Sequence, residues 1–145
     1  MNTTTPALLV GAMLSAIAAL LHLAIIVGGA PWYRFFGAGE RMAQWAEQGH
    51  WWPAFVTLCI AVALLVCAAY AAGASGYVAP LRGLPGLLPV LWLITAVYLL
   101  RGLAVLPLWW LRPAEVNAFL WWSSLLCLGF GAVHLLGLWQ RGAAP

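Results

Sequence analysis

The sequence contains no lysine and no aspartate, and its charge rests on six arginines and three glutamates in 145 residues. An ordinary soluble domain is about one quarter charged, whereas here the charged share is 6% against 66% apolar. A soluble fold of this size could not cover itself with polar groups, so hydrocarbon must solvate much of its outside. A basic excess of only +3, carried by scattered arginines, excludes nucleic-acid binding, which needs a clustered basic face. Cysteine is also scarce. Cys59, Cys67 and Cys127 lie inside apolar runs, form no CxxC pair, and read as small hydrophobes that fix no redox compartment.

Long apolar runs are what the sequence does have. A spanning helix needs about 20 mostly apolar residues, and four stretches qualify: Ala7 to Gly28, Trp52 to Ala72, Gly86 to Leu108 and Asn117 to Trp139. The first has no basic leader and no cleavage-like end, so it reads as a retained helix rather than a signal peptide. No internal repeat is visible. The expected fold is an all-α membrane protein, a four-transmembrane-helix bundle forming one membrane domain over residues 1–145. Short connections make consecutive spans antiparallel.

Arg82 and Arg141, on the side of the second connection and the tail, have no acidic companions; Arg34, Arg41 and Arg112, on the other side, share it with Glu40, Glu47 and Glu115. With the free amino group added, this places both termini in the cytoplasm, and we call the opposite side outer. Abundant Ala, Leu, Gly and Arg without Lys points to a GC-rich bacterial genome and an inner-membrane location. Gly11, Ser15 and Ala19 recur every four residues and give the first span a stripe of small side chains suited to close helix contact. Pro89 and Pro107 lie near the ends of the third span, where they bend or cap it.

The first outer connection carries Gly37, Gly39 and Gly49 around a polar stretch in which Met42, Trp45 and Ala46 fall on one side and Glu40, Gln44 and Glu47 on another. This spacing predicts a short amphipathic helix at the interface over about 40–48, stopped by Gly49. Eight tryptophans (Trp32, Trp45, Trp51, Trp52, Trp109, Trp110, Trp121, Trp122) lie in or beside the outer connections. They read as an aromatic belt or, given their one-sided placement, as rings converging on a ligand.

Arg101 lies inside the third span, about 10 Å below its outer end, where a cation needs a partner or a snorkelling route. His22 lies at nearly the same depth. Around them the available companions are Tyr98 one turn below, Glu40, Glu47 and Glu115 from the connections, His50, Asn117 and Trp32. Glu40 is the first choice of partner for Arg101, pinning the loop to the bundle; alternatively Arg101 binds the anionic group of a ligand through its planar fork of donors. His134 sits near the inner end of the fourth span and is expected to bond a neighbouring helix. Its depth makes a haem shared with His22 geometrically poor, no characteristic spacing joins His22, His50 and a glutamate into a metal site, and no motif implies a cofactor.

Three functions are therefore compared. The leading one is a noncatalytic protein that binds an amphipathic or lipid-like molecule at the outer-leaflet level through Arg101, His22, Glu40, Tyr98, His50 and Trp32, as a carrier component or accessory subunit, in contact with membrane lipids. The second is an intramembrane enzyme acting on a lipid or isoprenoid, with His22 or Glu40 as general base and Arg101 as charge stabiliser. The third is a structural subunit whose small-residue stripe meets a partner membrane subunit or a second copy of the chain.

Overall fold

The computed structural model describes residues 4–142, and all regular structure in that range is helical. In chain order the helices are α1 (Pro6–Gly28), α2 (Ala30–Phe35), α3 (Glu40–Glu47), α4 (Trp52–Ser75), α5 (Leu87–Leu103), α6 (Val105–Leu111) and α7 (Ala118–Gly142). Four segments are long and apolar enough to cross a membrane: α1, α4, the joined α5 and α6 over Leu87–Leu111, and α7. The all-α, four-span organisation expected from hydropathy is the one observed. The free amino group used in assigning orientation lies outside the described residues.

The contacts group into two units, one made of the chain up to Ser15 with Cys67 onward, the other of Ala16–Val66. In the first unit α5 and α7 run antiparallel and interlock through small residues. A side-chain carbon placed on Gly102 would meet Leu128 Cγ at 2.5 Å, and one on Gly131 would meet Leu99 Cδ2 at 2.7 Å, so each helix seats a leucine of the other on a bare glycine. The start of α1 packs on α7 in the same manner, Leu8 over Gly137 and His134 over Gly11. Lipid is as apolar as leucine, so such close van der Waals fit, rather than burial from water, holds membrane helices together. Leu8, Ala12, Ala71, Ala74, Leu91 and Leu138 form the buried cluster of this unit.

The end of α4 shows why that unit needs its polar residues. The last four carbonyls of a helix have no partner within it. Here Ala72 O receives Ser75 Oγ at 2.6 Å, Gly73 O receives Gly76 N at 3.4 Å, Ala74 O receives Arg141, and Ser75 O receives Thr5 N at 2.7 Å. Arg82 donates to Gly76 O just beyond. At the other end of its helix, Asn117 caps α7, its Oδ1 accepting from Leu120 N at 2.9 Å. The third span is interrupted at Ala104, three residues before Pro107. The proline ring has no N–H and crowds the carbonyl four residues back, so the regular helix breaks into α5 and α6.

In the second unit the first connection folds into two short helices. α2 was not foreseen; α3 matches the predicted helix, ending at Glu47 where about 48 was expected. Both stop by one device. Gly37 N bonds Arg34 O and Ala38 N bonds Tyr33 O, while Gly49 N bonds Ala46 O and His50 N bonds Trp45 O. The glycines have φ of +64° and +74°, the left-handed conformation that this double cap requires and that a side chain resists. Ile25, Ala30, Tyr33 and Ala43 form the core of the unit. The Tyr33 hydroxyl lies 3.1 Å from Thr57 Oγ1, which itself donates to Pro53 O at 2.8 Å, tying α2 to the start of α4.

Candidate functional site

Arg101 stands in the last turn of α5. Its Nη1 donates to Ser124 Oγ and its Nη2 to Ser123 Oγ, both at 3.1 Å, so the guanidinium fork spreads over two adjacent hydroxyls of α7. Ser124 is buried, and Ser123 Oγ donates in turn to Leu120 O at 3.1 Å. Hydroxyls can orient a guanidinium but cannot neutralise it. Glu40, the expected ion-pair partner of Arg101, is instead held by Arg34 within its own unit. Glu40 takes a two-pronged contact from Arg34, Nε to Oε2 at 3.0 Å and Nη2 to Oε1 at 2.8 Å, and the same guanidinium reaches Glu47 Oε1 at 2.6 Å. Glu115 pairs with Arg112 at 3.0 Å. All three side-chain carboxylates of the sequence thus have an arginine other than Arg101.

No known protein family, curated protein or solved structure matches the chain.

Tyr98, one turn below Arg101, points elsewhere. Its hydroxyl lies 2.9 Å from Ser15 Oγ, and its ring packs against Phe130 and His134 with centroids 5.6 and 5.3 Å apart. His134 is fully buried, and its Nδ1 lies 2.8 Å from Phe130 O, a carbonyl of its own helix four residues back rather than of a neighbouring helix as expected. A carbonyl can only accept, so that contact places a proton on Nδ1. His22 uses the same device, Nδ1 to Ala18 O at 2.7 Å, within the other unit.

The remaining named residues take separate partners. Trp32 lies over Gly28, where a side-chain carbon would collide with the indole, and tilts against Phe36 at 5.7 Å. His50 is exposed and lines an open cleft of about 390 Å³ with Trp45 and Trp52. Arg34 holds the Glu40 and Glu47 carboxyls below the usual carboxylate range, chiefly by its hydrogen bonds to each, and they in turn push the guanidinium above its ordinary value.

Ser123 and Ser124, the hydroxyls that Arg101 reaches, are not among the residues that the sequence singled out. The signal was present in depth: Ser124 lies seven residues inside the expected start of the fourth span at Asn117, as Arg101 lies seven inside the expected end of the third at Leu108. Antiparallel neighbours bring equal depths together.

Proposed function

We propose that this chain is a noncatalytic integral membrane protein that holds the anionic group of an amphipathic or lipid-like molecule at Arg101, as a carrier component or accessory subunit. The observation that carries this reading is the charge inventory around Arg101. A cation within a spanning segment is costly unless it is paired, and every glutamate of the chain is engaged by Arg34 or Arg112. No side-chain carboxylate is thus left for Arg101, which supports an anion supplied by a bound molecule, with the two serines orienting the guanidinium toward it. A planar fork suits a carboxylate or phosphate. In this reading the protein lies in the inner membrane of a bacterial cell with both termini cytoplasmic, and Arg101 opens toward the outer leaflet.

The structural-subunit reading loses its main support, because Gly11 and Ser15 of the small-residue stripe are spent within the chain on His134 and Tyr98.

Native mass spectrometry of the gently solubilised chain beside Arg101→Gln tests the proposal. The native chain is expected to retain an acidic lipid or metabolite that the folded variant loses. Retention of the same molecule by both, or copurification of a second polypeptide that only the native chain holds, would overturn it.

A further inference from the structure

Arg101 opens sideways rather than into its unit. Leu93, Val97 and Arg101 follow one another at four-residue steps along α5 and so share one face of that helix. Leu93 and Val97 are 63% and 55% exposed, and Arg101 is exposed with them. Tyr98, the residue after Val97, is buried against Ser15, so the interior lies on another side of α5. What lies against an exposed face of a spanning helix is lipid. A guanidinium carries N–H donors on Nε and on both Nη atoms. Nη1 and Nη2 each give one to a serine of α7, and among the described residues the other donors have no partner.

The tryptophans set the depth of this cation. Ser123 follows directly on Trp121 and Trp122, both exposed, and the Trp121 ring meets Trp109 edge-on with centroids 6.1 Å apart. Indole rings settle at the headgroup level, so a guanidinium bound to Ser123 and Ser124 lies about one helical turn, roughly 5 Å, below it. A lipid phosphate reaches that depth with its chains already in hydrocarbon, whereas a soluble anion would have to pass the rings with no apolar part to carry it. Val97 and Leu93 continue the same face for about 12 Å toward the middle of the membrane, where the chains of a lipid so held would run. A zwitterionic headgroup brings its own cation and adds no net countercharge; an acidic one supplies it.

We propose that the molecule held at Arg101 is an acidic phospholipid of the bilayer itself, seated sideways on α5 with its phosphate on the guanidinium and a chain along Val97 and Leu93. This rests on the reading of Arg101 as an anion site, and adds to it the class of ligand and the side from which it arrives.

The test puts the photo-cross-linker p-benzoylphenylalanine in place of Val97 in the full chain, in nanodiscs of phosphatidylcholine with a minor share of phosphatidylglycerol, and identifies the cross-linked lipids by mass spectrometry. The same probe in place of Leu135, exposed farther down α7, is the control. Phosphatidylglycerol is expected at Val97 about fivefold or more above its share of the bilayer, the effect of one charge-assisted contact, and at its bulk share at Leu135. Arg101→Gln is expected to bring the Val97 value down to that share, and Arg101→Lys to keep part of the enrichment. Should Arg101→Gln not fold, the contrast between Val97 and Leu135 in the otherwise native chain decides. Bulk-share labelling at Val97, enrichment unchanged in folded Arg101→Gln, or cross-links to a second polypeptide overturns the proposal. Loss of the enrichment on adding inorganic phosphate at constant ionic strength assigns the guanidinium to free phosphate and overturns it too. Where an acidic molecule is still retained in detergent in an Arg101-dependent way, only the lipid assignment has failed; where that retention is absent as well, the anion-site reading fails with it.

Discussion

The hydroxyl of Tyr98 on α5 lies 2.9 Å from that of Ser15 on α1, in a buried position where neither group has water to turn to. Hydrogen bonds between membrane helices are worth about 1 kcal/mol. Tyr98→Phe is therefore expected to lower stability by about that amount in equilibrium unfolding with a denaturing detergent. Ser15→Ala should cost a similar amount, and the double variant little more than either, because both substitutions remove the same contact. Additive losses would show that the two hydroxyls act separately.

Gly131 and Gly129 occupy one helix yet should respond in opposite senses. A side chain on Gly131 runs into Leu99, whereas nothing lies within 4 Å of the corresponding point on Gly129. Gly131→Val is expected to destabilise by about 1–3 kcal/mol through overpacking. Gly129→Ala should be neutral or stabilising by up to about 1 kcal/mol, as helix propensity dictates. The same unfolding assay decides both, and equal effects would contradict the interlock.

The Arg34 cluster predicts a pH dependence with a definite sign. The folded-state pKa values of Glu40 and Glu47 are lowered, first by hydrogen bonds from Arg34. Their stabilising contribution is then complete above the ordinary carboxyl value of about 4.3 and disappears as pH falls through the lowered values. Because the groups are exposed, the effect should be local and small. Intrinsic-rate-corrected hydrogen exchange of residues 30–49 is expected to show more opening near pH 3 than at pH 7, and Arg34→Gln to remove the difference. Unchanged protection at pH 3 would show that the cluster does not hold the connection.

Pro107→Ala should join α5 to α6. With an N–H supplied and the ring removed, the amides around Ala104 are expected to exchange more slowly. Persistence of the break would assign it to packing rather than to proline.

Much of this fold was legible because lipid imposes a length. The four spans follow from runs of apolar residues alone, and α3 from an amphipathic spacing closed by Gly49. α2 was not legible: six residues are too few to display a helical period, and its Pro31 and aromatic content suit a loop equally well. Arg101 and Tyr98 were singled out by depth and chemistry, but their partners were not. Glu40 was assigned to the deep arginine although Arg34 lies only six residues away, and a short loop closes at lower entropic cost than a distant contact. His134 was expected to reach across to another helix because the bond to a carbonyl four residues back leaves no trace in the sequence pattern. The Arg41–Trp45 contact, four residues apart on α3, follows from helical spacing alone.

The reciprocal seats on α5 and α7 also fix registration. Leu99 fits Gly131 and Leu128 fits Gly102, so the two notches face in opposite directions along the shared axis. Sliding one helix by a turn would bring Leu99 opposite Leu135 or Cys127, and Leu128 opposite Leu106 or Tyr98, with no bare backbone to receive either. The pair is thus keyed like a bolt cut for a single position.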